Sequence, residues 1–404
     1  MTSKFHRRQV LGLLGLAALP WKLKGDGGNP SPTEGPGLFV MDGHVHMIDR
    51  QFYLGGDISD HYTDGQVDLP RMRKGGVNAV FMSLFVTEAY YANRYELKLT
   101  LDLIDLALRQ LKRDHKLIEL ALNASDIERI YKSGKIAAFM HLEGGFDLDG
   151  DLSVLHDLYR LGLRSAQLPA HNYTNNFADS CCAAPRWGGI NAHGVEVVHE
   201  MNRLGMVIDV SHGSDATMRQ AAEASSDPVL YSHGGSLSIV NTPRNISDET
   251  AKIIASKGGL VGLQFGNFFN NPKYAAWVKK RAAEHHTTGP RRAPRVYPTI
   301  QALNAEVAKS SYPPKGQPIP EELRMPVDQY VVVLDHWINV VGEDHVSLGA
   351  DFDGWGNLAR GMHDVGDYQM IIQAMRRHGY SDGRVRKIAG LNLLRLVRQV
   401  TEKS

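Results

Sequence analysis

Apolar residues along the chain fall into short runs with β-branched enrichment at 37–41, 79–86, 136–142, 165–169, 207–210, 229–232, 260–265 and 346–349. Between these runs lie stretches of helical periodicity or helix-forming composition, at 96–113 with 121–133, then 152–161, 193–204, 214–224, 248–257, 327–341 and 367–378. Strands apolar on both faces and alternating with helices predict βα units around a parallel sheet. Eight such units in about 360 residues fit an α/β fold of the closed (β/α)8 TIM barrel type. Two segments break the regular count. Two helical stretches follow the second strand where one would suffice. The connection 266–326 is long and carries His285-His286, Arg291-Arg292 and several prolines, so it is expected to cover the barrel mouth as a lid or to be partly disordered.

The chain divides into an N-terminal segment (1–24), a Gly-, Pro- and Ser-rich linker (25–37) and the barrel (38–404). In the first of these a basic patch precedes about ten apolar residues, too few to span a bilayer and suited to the apolar core of an export signal. Arg7-Arg8 followed by Gln9-Val10-Leu11 resembles a twin-arginine signal, which implies periplasmic export, although His6 and Gly12 depart from its preferred flanks. No stable membrane span is expected once such a signal is removed.

Forty-five Lys and Arg against 44 Asp and Glu leave almost no net charge, so nothing points to nucleic acid or an anionic membrane as partner, and small-molecule chemistry is expected. The two cysteines, Cys181 and Cys182, are neighbours and cannot supply a four-thiolate metal site. They are expected to be reduced or merely packed, with a strained vicinal disulfide as the alternative, and any metal must be held by histidine and carboxylate.

In a barrel of this kind the working residues lie at the C-terminal ends of the strands. The first strand closes in Val40-Met41-Asp42-Gly43-His44-Val45-His46, where alternation puts Asp42, His44 and His46 on one face, and two imidazoles two residues apart suit one metal ion. Later strands end in His141-Leu142-Glu143-Gly144-Gly145, in His171, in Asp209-Val210-Ser211-His212, in Ser232-His233-Gly234-Gly235 and in Asp351-Phe352-Asp353-Gly354. Taken singly, each could be a helix cap or a satisfied rim residue; six on one rim point to a cluster. Such a cluster supports hydrolysis by two divalent ions bridged by a carboxylate, and Glu143, with two oxygens to share, is the natural bridge.

The set Asp42-Gly43-His44, Leu142-Glu143-Gly144, His171-Asn172 with Asn175, Asn176 and Ala178-Asp179-Ser180, and 200–206 leading to Asp209-Val210-Ser211-His212 resembles the membrane (renal) dipeptidase family. So do Ser232-His233, Arg244-Asn245, Asp344-His345-Val346, Gly349-Ala350-Asp351-Phe352-Asp353-Gly354 and 390–395, and the resemblance runs from about Phe39 to Val397. It implies a metallodipeptidase holding two divalent metal ions, expected to be Zn2+, with His44 and position 46 on one, His212 and His233 on the other, and Glu143 between them. By the same resemblance His171 stabilises the oxyanion, Asp351 moves the proton to the leaving amine, and Arg244 binds the carboxylate of a small-molecule dipeptide substrate, a task that suits a guanidinium.

One departure stands out. The family has Asp where this chain has His46, so a negative charge beside the metals is missing, which would weaken the second ion or change the preferred metal. Two other readings follow: an amidohydrolase acting on another amide or a lactone, and a metal-binding protein with weakened catalysis. Against the first, relatives of that kind bridge their metals through a modified lysine on the fourth strand, where this chain offers His171. A homodimer is left open.

Overall fold

The computed structural model describes residues 37–144, 151–284, 296–311, 319–354 and 356–403. The export segment, the linker up to Pro36, His285-His286, Arg291-Arg292 and Gly145 lie outside them. The strands are β1 (Met41–Val45), β2 (Ala79–Val86), β3 (Ile118–Leu120), β4 (Ile136–Gly144), β5 (Ser165–Gln167), β6 (Val207–Asp209), β7 (Leu230–Gly234), β8 (Leu260–Leu263) and β9 (Val346–Leu348). All pair in parallel, in the order β1-β2-β4-β5-β6-β7-β8-β9 with β3 beside β4. Past β9 the chain bridges back to β1 through Val45 and Phe352, with the His46 N–H donating to Phe352 O at 3.0 Å, so the sheet curls into a nearly closed α/β barrel.

Two expectations need correction. The first strand is the histidine motif itself and not the apolar run before it, because the ladder with β2 begins at Met41↔Ala79 while Val40 bonds to Asn78 ahead of it. A ninth strand, β3, separates the helices Glu96–Arg113 and Ala124–Lys132, which accounts for the surplus helix after the second strand. Its three residues, with Glu119 in the middle, are too short and too polar to register as an apolar run. Strand β4 shares one edge between two partners, Ile136–Ala138 pairing with β3 and His141–Leu142 with β5.

Alternation along the strands sorts side chains into two layers. Val80, Met82, Leu84, Ala138, Met140 and Leu142 belong to the core shared with the surrounding helices. Ala79, Phe81, Ala137, Phe139, Val207, Leu230 and Leu260 form a second core closed at one end by Leu393, Leu396, Val397 and Val400 of the last helix. On β4 the second set continues as Phe139, His141, Glu143. The barrel interior therefore passes from apolar to ionisable along a single strand face, and that gradient carries the site to the C-terminal rim. Several of the surrounding helices start on side-chain caps, Asn123, Asn191, Ser214 and Ser247 among them, each accepting a backbone N–H of the first turn.

The described parts of the long connection include helices at Asn267–Asn270, Pro272–Glu284 and Ile300–Ser311. The last of these packs on the helix Asp49–Leu54 and on the turn Glu88–Asn93, at the exits of β1 and β2. Among the described residues no helix is long and apolar enough to cross a membrane.

Candidate metal centre

Two local irregularities aim the first histidines. Between Asp42 and Val45, β1 carries one residue more than β2 opposite it, and between Tyr231 and Gly234, β7 carries one more than β8. An extra residue of this kind bends a strand and redirects its side chains. The two bulges contain His44 and His233, whose rings stack with centroids 3.8 Å apart. Asp42 does not join them: its carboxylate accepts the N–H groups of His44 and Ala350 at 2.9 and 3.0 Å and ties β1 to the chain after β9. The other rim residues are set by unusual backbone. His171, His212 and Asp351 have φ of 54°, 63° and 61°, the left-handed region that non-glycine residues occupy at a cost. A Cβ on Gly354 would overlap the Asp351 carboxylate and the His46 ring, so only glycine lets the chain pass there.

These devices bring every expected ligand to one buried cluster. Glu143 Oε2 lies 2.9 Å from His44 Nε2 and 3.1 Å from His46 Nε2, and the two nitrogens are 3.1 Å apart. Glu143 Oε1 lies 3.1 Å from His212 Nε2 and 3.6 Å from His233 Nε2, and those nitrogens are 3.2 Å apart. Each carboxylate oxygen thus serves a separate histidine pair. Ligand atoms about 2.0–2.1 Å from a tetrahedral ion sit roughly 3.3 Å from one another, so both triads match a bound cation.

The hydrogen bonds behind the rings make the same point. His212 Nδ1 faces Asn172 Oδ1 at 3.1 Å. His233 Nδ1 faces Ser232 Oγ at 2.8 Å, and that hydroxyl donates to Asp209 Oδ2 at 2.6 Å, so it must accept from the ring. Both rings therefore carry their proton on Nδ1, and two Nε2 lone pairs confront each other at 3.2 Å. Lone pairs in that position repel unless a cation lies between them.

Electrostatics separates the two pairs. Burial disfavours a charged His46, but its contacts with Asp351, Asp49 and Glu143 outweigh that and hold the imidazole well above its ordinary range. Burial instead pushes His212 and His233 well below it, helped by the positive charge of Arg244. Glu143 is buried too, yet the charge on His44 and the contacts with His212, His44 and His46 hold its carboxyl well below the usual value.

Residues 37–404 match the family model for membrane dipeptidases, peptidase family M19. The chain belongs to the membrane dipeptidase family. It is 30% identical over 378 residues to dipeptidase tcpJ of Claviceps purpurea, a match covering 90% of this chain and 77% of that one. Among solved structures, a dipeptidase described as an M19 metallopeptidase superposes with a TM-score of 0.70 at 24% identity, over 91% of this chain and 99% of its own. The probable dipeptidase PvdM from Pseudomonas aeruginosa gives 0.74 at 21% identity, over 91% and 96%. These superpositions show the shared barrel.

The remaining candidates lie beside the cluster. His171 Nδ1 is 2.8 Å from Glu88 Oε1, and its Nε2 is 4.0 Å from Glu143 Oε1. Asp351 Oδ1 is 3.0 Å from His46 Nε2 and 4.0 Å from His44 Nε2, near enough to join that half of the cluster, while Oδ2 accepts from Gln264 at 2.7 Å. Arg244 is buried; its Nη2 donates to His233 O at 2.9 Å, and Nε and Nη1 have no partner among the described residues. The stretch from β5 to His171 contains no lysine.

Sequence reasoning missed Asp49, Glu88 and Gln264. Glu88 had a readable signal, since Thr87-Glu88 follows β2 directly and is as polar as the other strand ends. The cysteines need correction: Cys181 and Cys182 are joined in a vicinal disulfide. Bonds from Cys181 N–H to His212 O and from Cys182 N–H to Ser180 Oγ fix the turn in which the sulfurs meet.

Proposed function

We propose that this metal-dependent dipeptidase hydrolyses its substrate with two zinc ions, one held by His44, His46 and Glu143, the other by Glu143, His212 and His233. The observation that carries the proposal is the division of Glu143, whose two oxygens each close a triad with a different histidine pair. Divalent ions there would lower the pKa of water toward neutrality and polarise the scissile carbonyl. The protein's own groups do the rest. Arg244, buried with its Nε and Nη1 unpartnered among the described residues, keeps N–H donors and a full positive charge for the dipeptide's free carboxylate. His171, backed by the Glu88 carboxylate, presents Nε2 beside Glu143 to hold the developing oxyanion. Asp351, oriented by Gln264, takes up a proton at Oδ1 and delivers it to the leaving amine.

The test combines metal analysis with a substrate comparison. Purified protein is expected to carry two zinc equivalents and to cleave dipeptides, and amidating the substrate's C-terminus should raise KM. Arg244→Ala should raise KM for the free dipeptide by a factor worth about 2–4 kcal/mol, with little further loss on the amidated one. Equal hydrolysis of free and amidated dipeptides by the wild type sinks the carboxylate clamp; a single metal equivalent sinks the two-ion reading.

A further inference from the structure

We infer that Asp49 is a positioning residue for this site: it fixes the proton of His46 on Nδ1 and places a negative charge behind a ligand that has none of its own. The inference rests on the two-ion reading above. Asp49 is fully buried in the first turn of the helix Asp49–Leu54, the first helix after β1. Its Oδ2 is 2.8 Å from His46 Nδ1, and its Oδ1 accepts the Phe85 N–H of β2 at 3.2 Å. The carboxylate is therefore anchored by backbone on one side and aimed at the imidazole on the other. With Nδ1 protonated toward Asp49, His46 turns its Nε2 lone pair to the cluster, where Glu143 Oε2 is 3.1 Å away. An imidazole held by a carboxylate in this manner is the more basic ligand, and its orientation is fixed before a metal arrives.

No other ligand histidine has this support. His212 and His233 are backed by an amide and a hydroxyl, and His44 Nδ1 has no partner among the described residues. Asparagine at position 49 could not reproduce the arrangement. Phe85 and His46 reach different oxygens of Asp49, so with an amide in the same place one of the two would face NH2 instead of an acceptor. If the amide NH2 turns to the ring, Nδ1 must accept, the ring proton moves to Nε2, and the ligand position is blocked.

The experiment is a chelator titration of the full-length enzyme, reading zinc per chain for wild type, Asp49→Asn and the double variant His46→Asp with Asp49→Asn. Asp49→Asn is expected to release one ion at roughly 10–100-fold lower chelator concentration than wild type while the other is held as before. The double variant moves the carboxylate from behind the ligand into the ligand position, so it should recover both ions, a rescue that a purely structural role would not give. Wild-type retention of both ions by Asp49→Asn overturns the inference, and so does a double variant that still lets one ion go early. If neither variant folds, Asp49 is structural and the inference also falls. A wild type that binds one ion, lost in Asp49→Asn, would preserve the role of Asp49 and sink the two-ion reading instead.

Discussion

On the Oε2 side of Glu143, His46 sits among Asp49 and Asp351; on the Oε1 side, His212 and His233 are backed by Asn172 and Ser232, and the Arg244 guanidinium bears on both. Each half offers two imidazoles and one carboxylate oxygen, but their surroundings push charge in opposite directions. The first half favours a positive charge on its own account, while the second disfavours one until an anion enters. Arg244, whose charge bears on that second half, keeps Nε and Nη1 unpartnered among the described residues, so the substrate carboxylate itself would restore the balance there. A ligand list alone would call the two halves alike; the groups behind the ligands distinguish them.

Removing what the halves share should have the largest effect. Glu143→Gln leaves four imidazoles facing one another without the central charge, and is expected to lower the affinity for both ions and cut turnover by at least roughly 100-fold, read by metal analysis and dipeptide hydrolysis. Near-normal metal content and turnover would show that Glu143 is not the bridge.

Acid should separate the halves. A proton competes with the metal for His46 Nε2, and because the neighbouring carboxylates hold that imidazole well above its ordinary value, the proton begins to win at a higher pH. His212 and His233 resist protonation and should keep their ion further down. Lowering the pH should take wild type from two ions to one before the last is lost. His46→Ala should start with one ion and hold it to the lower pH, whereas His212→Ala should shed its single ion early. Loss of both ions together in wild type would erase the distinction.

The smallest effect concerns the floor beneath the halves. Burial pushes His141 down to about 4, so the folded protein keeps it neutral while the unfolded chain takes up a proton near 6.5. Its contribution is therefore complete above about 6.5 and is lost as the pH falls toward 4, on the order of 3 kcal/mol in all. His141→Gln should show a shallower decline in urea-unfolding free energy between about pH 7 and about pH 4.5 in metal-free protein. Asp42 and Asp353, raised to about 7 by burial, act in the opposite sense in both proteins and cancel in the difference. Equal slopes would mean that His141 is not kept neutral.

The barrel, its order of strands and helices, and the six polar strand ends were legible because each is a local pattern: apolar runs of strand length, helical periodicity between them, and ionisable residues where each run stops. His44, Glu143, His212 and His233 could be named on that basis, and the family resemblance added roles for His171, Arg244 and Asp351. Strand β3 escaped notice because three residues carry no periodicity. The first strand was misplaced because register with β2, and not apolar content, decides where a ladder begins.

What the sequence by itself determined is which side chains arrive at the rim, since strand alternation and the βα repeat are short-range consequences of residue type. Only the tertiary structure decided how they act on one another. The bulges at His44 and His233 exist as mismatches against neighbouring strands, and the left-handed backbone at His171, His212 and Asp351 is sustained by packing that no isolated segment would tolerate. The missing charge at position 46 looked like a deficit along the chain. Asp49 fills it through a helix start that turns its carboxylate back onto the ring, and charge balance in a buried site is a sum over everything within a few ångströms, not over neighbours in sequence.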